Sequence, residues 1–182
     1  MDPPLHENFL TPFPSSPPTS YDLPPSFSNS MLSILKPIAV LAITVGYALA
    51  ETHTVHFINL CKFGTPTLIQ GPNVLSTGDY TKQGSLLGAI AYLQTGACGF
   101  NGEGCTLVEL SLNNGFSSAD ISLIPPHAFS VTTGFGYYNG CDGAGADCNE
   151  PNCPQAFENP NETWKQVPCP AANVNIAVTF CD

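Results

Sequence analysis

The chain has no arginine, and its 182 residues include only four lysines, at positions 36, 62, 82 and 165. Binding a nucleic-acid backbone takes clustered cations, so nucleic acid is excluded as a partner. Charge of either sign is scarce, at 10% of residues, and it is mostly acidic, giving a formal net charge of -10. No window carries an apolar stripe at helical spacing for a dozen residues, which argues against a helical fold. No apolar run reaches the roughly 20 residues of a comfortable membrane span. His53, His56 and His127 lack zinc spacing, and no serine stands in a Gly-x-Ser-x-Gly elbow. No metal and no cofactor is expected, and no protease, kinase or nucleotide site is visible.

The abundant residues point one way. Eight cysteines, eighteen prolines and sixteen glycines describe a turn-rich extracellular domain supported by disulfides. Residues 1–30 hold eight of the prolines, with Ser and Thr between them, and show no apolar period. Such a segment cannot offset its ordering entropy and reads as disordered. Residues 31–50 combine Lys36, an apolar run from Ile38 to Leu49 and the small-x-small end Ala48-Leu49-Ala50, which are the parts of a signal peptide. Met31 then reads as the true start and residues 1–30 as an upstream extension. A signal anchor with a cytoplasmic tail is the competing reading.

Cleavage after Ala50 leaves residues 51–182 as one domain, expected to be secreted, extracellular or in the cell wall, monomeric and free of the membrane. This part holds all eight cysteines, and an even count after a signal peptide implies four disulfides. Its eleven acidic residues against three lysines keep it acidic. A free amine at Glu51 would also make Glu51-Thr52-His53 a square-planar copper(II) motif, though so short a pattern arises readily by chance.

Short strand-like runs alternate with turn signals such as Gly71-Pro72-Asn73, Asn113-Asn114-Gly115 and Asn139-Gly140, the pattern of an all-β sandwich or barrel. In the closing run, Val174, Ile176, Val178 and Phe180 alternate with Asn173, Asn175, Ala177 and Thr179, as in a half-buried strand. Helix is expected only in a short piece, because Pro160 interrupts the stretch 155–163. The same alternation gives Val108, Leu110 and Leu112 one strand face and leaves Glu109 the other. Asp120 likewise opposes Ile121. Neighbouring strands would put both carboxylates on one face, either as a site or as ordinary exposed carboxylates. In Gly134-Phe-Gly-Tyr-Tyr-Asn-Gly140, Tyr137 or Tyr138 could meet a sugar face, or the run could be a core strand with one tyrosine outward. Asn161-Glu162-Thr163 is an N-glycosylation acceptor.

Several stretches, taken in order, resemble the thaumatin-like proteins: Asn59-Leu-Cys61, Cys98-Gly-Phe-Asn-Gly-Glu-Gly-Cys105, Thr106-Leu-Val-Glu-Leu-Ser-Leu-Asn113, Asp120-Ile-Ser122, Gly140-Cys141, Cys153-Pro-Gln-Ala-Phe157, Cys169-Pro170 and Val178-Thr-Phe-Cys181. The resemblance implies a single-domain β-sandwich of antiparallel strands with disulfides Cys61–Cys181, Cys98–Cys105, Cys141–Cys169 and Cys148–Cys153. Members of full length insert a disulfide-rich second lobe where this chain has only Asn149-Glu-Pro-Asn152, so a compact variant is implied.

The family's acidic cleft, associated with β-1,3-glucan binding and in some members weak hydrolysis, maps onto Glu109 and Asp120. The implied function is contact with cell-wall β-glucan, in wall remodelling or antimicrobial defence, with Glu109, Asp120, Tyr137 and Tyr138 as sugar-contacting residues. One alternative is a weak endo-β-1,3-glucanase with Glu109 and Asp120 as its catalytic pair. The other is a protein-interaction scaffold or effector. Against catalysis stand the missing arginine and the missing opposite lobe. They leave an open carboxylate face with little to desolvate an acid and raise its pKa.

Overall fold

The computed structural model describes residues 50–182, so the extension at 1–30 and all of the expected signal peptide except Ala50 lie outside the described residues. In chain order the strands are β1 (Thr52–Asn59), β2 (Thr65–Gln70), β3 (Asn73–Ser76), β4 (Tyr80–Gln83), β5 (Leu86–Gln94), β6 (Leu107–Leu112), β7 (Ser117–Ser122), β8 (Thr133–Tyr138), β9 (Gly145–Cys148), β10 (Ala156–Phe157), β11 (Val167–Cys169) and β12 (Asn175–Phe180). One 3-10 turn, Thr163–Lys165, precedes β11. The strands form two sheets. One runs β4-β1-β12-β8-β9, the other β10-β7-β6-β5-β2-β3, with β11 also paired to β7.

Period-2 alternation accounts for the core between the sheets. Val55 of β1 and Ile176, Val178 and Phe180 of β12 point inward from the smaller sheet. Val108, Leu110 and Leu112 of β6 meet them with Ala119 and Ile121 of β7. The Phe57 and Phe180 rings stack with centroids 6.0 Å apart. Most pairings are antiparallel, as expected, but β1–β12 and β7–β10 are parallel. Parallel neighbours need a long crossover, and between β1 and β12 the crossover is almost the whole domain.

The four disulfides are Cys61–Cys181, Cys98–Cys105, Cys141–Cys169 and Cys148–Cys153. The first joins the residues just beyond β1 and β12. At the opposite pole, the Glu51 carboxylate binds the His53 ring at 3.0 Å and accepts the Asn114 backbone N–H at 2.7 Å and the Ser85 hydroxyl. Those bonds, His53 first, hold the Glu51 carboxyl below its usual range.

The loop closed by Cys98–Cys105 folds over part of the larger sheet's outer face and covers Tyr92 and Leu107. The Tyr92 hydroxyl donates to the Phe100 carbonyl at 2.8 Å. Gly102 lies at φ 79°, and a Cβ there would come within 2.6 Å of Leu107 and 3.2 Å of Tyr92. Only glycine combines that backbone with that approach. The rest of this face is left to the acidic residues.

Replacing Cys61 and Cys181 together with alanine frees a loop whose ends are 120 residues apart in sequence. The expected loss is about 4–5 kcal/mol of unfolding free energy, read as a lowered denaturant midpoint. A midpoint within error of the parent would show that this closure does not hold the domain together.

Candidate functional site

Three strands bring the site together. Glu109 on β6 is the register partner of Asp120 on β7, and both lie on the outer face of the larger sheet. On the other side of β7, β11 pairs Val167 with Ala119 and Pro168 with Ser118. Continuing that register by one residue sets Gln166 beside Asp120. Glu109, Asp120 and Gln166 therefore form a row across the strands, about 10 Å from end to end at the usual strand spacing. Ser111 and Ser118 form the next row. The Ser111 hydroxyl accepts the Gly88 N–H at 2.9 Å, where β5 breaks register between Leu86 and Ala89.

Two depressions meet over this row. One, of about 120 Å3, is lined by Gly88, Ile90, Glu109, Ser111, Ser118, Asp120 and Gln166. The other, of about 230 Å3, is lined by Glu109, Asp120, Ile124, Phe157, Pro160, Thr163 and Gln166. Together they form a shallow groove with a polar end, an acidic centre and an apolar end. Its wall is the segment 157–166. Glu162 ties this segment down by accepting the backbone N–H groups of Glu158 and Asn159. Lys165 reaches under it to the Ala156 carbonyl at 2.7 Å and to Glu162 at 3.0 Å.

The wall corrects the expectation of an open face unable to raise an acid's pKa. Glu109 is exposed, but Asp120 is only 6% exposed. Burial, and after it the negative charge of Glu109, push the Asp120 carboxyl up to about 7, while the Gln166 amide pulls the other way. Residues from 157–166 line the depression beside Glu109 and Asp120 and so close one side of it. A hydrogen bond between the Asp120 and Glu109 carboxyls raises Asp120 further, so the proton held there is shared toward Glu109.

The tyrosines do not join this site, which corrects their grouping with the two carboxylates. Tyr137 and Tyr138 are on β8 of the other sheet. Tyr137 is buried and its hydroxyl donates to the Val167 carbonyl at 2.9 Å, so its polar tip is already used. Tyr138, half-buried, points to the opposite side of that strand. Asn161 is exposed on the groove wall, between Pro160 and Thr163. The copper motif is engaged otherwise: His53 Nδ1 faces the Val174 carbonyl at 2.7 Å, and the Thr52 N–H donates to Asn173. Among the described residues, no group of three or more His, Cys, Asp or Glu side chains is placed to hold a metal ion.

Sequence reasoning missed Gln166 and the wall. The strand that carries Gln166 into place is three residues long with a proline in its middle, which suits an edge position and gives no alternation to read.

No family model matches the chain, and no curated protein matches it in sequence. Among solved structures, that of a thaumatin-like xylanase inhibitor matches with 17% sequence identity and a TM-score of 0.45, over 71% of this chain and 99% of the other.

The buried acid makes a stability prediction. Unfolding returns Asp120 from about 7 to its ordinary 3.8, so between those values the folded chain holds more protons than the unfolded one. Its contribution to stability therefore falls as pH rises from about 4 to 7. Asp120→Asn removes that penalty and should be more stable than the parent at pH 8, by up to about 4 kcal/mol, with the gain vanishing below pH 4. Thermal midpoints of both proteins across this range check it, and a pH-independent difference would contradict the raised value.

Proposed function

We propose that the chain is a secreted protein that binds cell-wall β-1,3-glucan in the groove over Glu109 and Asp120, in wall remodelling or antimicrobial defence. The observation that carries this reading is the Glu109–Asp120–Gln166 row, which offers an acceptor, a protonated donor and an amide within one open groove. Such a set suits the hydroxyls of a neutral polysaccharide, since each group can pair without bringing in an opposite charge. A phosphate or acidic ligand is disfavoured by the acidic centre and by the net charge of -10. The sequence segments that resemble thaumatin-like proteins support the same ligand class. Four disulfides fit an oxidising, extracellular setting.

A hydrolytic reading is favoured by one observation, the proton held near neutral pH by Asp120. Asp120 would give that proton to the glycosidic oxygen as the C1–O bond breaks, and Glu109 would attack or stabilise C1. Water would then release the sugar and restore the proton. Directly opposed strand residues have Cβ atoms about 4.5–5.5 Å apart. That is nearer the roughly 5 Å carboxyl separation of a retaining pair than the 6.5–9.5 Å of an inverting one.

Retention on insoluble β-1,3-glucan, run beside a reducing-sugar assay on the soluble polymer, separates the readings. The expected result is retention by the parent, about tenfold weaker for Glu109→Ala and Asp120→Asn, with no sugar released. Sugar release by the parent that is lost in Glu109→Gln and Asp120→Asn would establish the hydrolase instead. Neither binding nor release would end both and leave a protein-interaction scaffold.

A further inference from the structure

The chain's single tryptophan, Trp164, is 74% exposed, the most exposed large apolar side chain among the described residues. Single exposed apolar residues are ordinary on protein surfaces, so exposure alone decides nothing. Its location adds a second observation. Trp164 lies on the 3-10 turn Thr163–Lys165, between two residues that line the groove, Thr163 and Gln166.

A 3-10 turn has three residues per turn, so side chains at i and i+3 eclipse. That geometry gives Thr163 and Gln166 the groove side. Lys165 turns inward to the Ala156 carbonyl, which leaves Trp164 standing outward at the rim. The turn is held without help from the indole. Lys165 and Glu162 pair at 3.0 Å with side chains 14% and 16% exposed, and Glu162 also caps two backbone N–H groups. The turn that carries this large flat apolar surface is thus held in place by Glu162 and Lys165, and its neighbours Thr163 and Gln166 line the groove.

We infer that Trp164 is the aromatic platform of the groove, on which the apolar face of a neutral sugar ring stacks while the next ring along the chain reaches the Glu109–Asp120–Gln166 row. This rests on the glucan reading and deepens it. The groove alone is shallow and apolar at one end only, so it would supply hydrogen bonds but little flat surface for a ring to cover. Trp164 supplies that surface, and its indole N–H is a donor that a sugar hydroxyl can accept. The arrangement selects oligosaccharides long enough to span platform and acid row together, and it disfavours single sugars.

Because there is one tryptophan, its fluorescence reports this residue alone. Titration of the full chain with soluble β-1,3-linked gluco-oligosaccharides should give a saturable blue shift of emission. Calorimetry should show a loss of affinity of about tenfold or more for Trp164→Ala. Trp164→Phe should retain most of the affinity, and the thermal midpoints of both variants should match the parent. If oligosaccharide binds the parent by calorimetry while the emission does not move and Trp164→Ala keeps its affinity, the platform is refuted and the glucan reading survives. If affinity falls in Trp164→Ala only together with the midpoint, and Trp164→Phe restores the midpoint but not the affinity, the platform is likewise refuted. No heat and no shift with the parent overturns the glucan reading, and the platform with it.

Discussion

The domain depends on the side-by-side pairing of its first and last strands. β1 and β12 run parallel from Val55↔Ile176 to Asn59↔Phe180 in the interior of the smaller sheet, and Cys61–Cys181 locks the ends of the pair. Everything between is a closed circuit of chain. The hydrophobic layer is laid on this pair, with Val55 and Ile176 each fully buried, and the larger sheet takes its position by packing on that layer. The site on the larger sheet's far face is thus tied to the strand pair through the core. One side chain shows the connection directly. Tyr137, beside Ile176 in register, passes its hydroxyl to the Val167 carbonyl. Val167 belongs to β11, next to Gln166. A tyrosine that reads in sequence as a sugar contact is instead a brace beneath the groove wall.

The site runs against the logic of the rest of the fold. Elsewhere on β6 and β7, the buried residues are aliphatic or are small hydroxyl and alanine side chains. Asp120 is a carboxyl in a place that disfavours its charge, beside a second carboxyl that disfavours it further. Serine stands at the neighbouring outward positions on the same strand and would avoid the penalty. A destabilising buried acid that opens onto a groove marks that groove as the candidate site on this face.

The fold was legible because β-sandwich physics is written locally. The alternation of Ile176, Val178 and Phe180 is the alternation of burial, and the Asn-Gly turns fall between strands. The even cysteine count implied four disulfides, and the structure has four. The pairing of Glu109 with Asp120 was legible in outline, since alternation fixes a side chain's face. It does not fix what covers that face. The wall arises from a loop whose shape depends on Lys165 reaching the Ala156 carbonyl and on Glu162 folding back onto Glu158 and Asn159. Such bonds have no period and leave no composition signal. Tyr137 and Tyr138 were misplaced for a related reason: alternation tells inward from outward but not which of two sheets a strand joins.

The parallel direction of β1 and β12 also has a mechanical meaning. The two strands enter at one pole of the sandwich, where the Thr52 N–H donates to Asn173, and leave at the other, where the Leu60 N–H donates to the Phe180 carbonyl. Tension between the domain's ends therefore slides the two strands along each other and loads their hydrogen bonds together, rather than peeling them one at a time. Should those bonds yield, the force passes into the covalent link between Cys61 and Cys181. Residues 51–60 lie outside the loop that this link closes, and Thr52–Asn59 are already extended as β1, so drawing them out adds little length. The groove and both of its ends lie inside the part that cannot lengthen, so tension between the domain's ends leaves its residues in register.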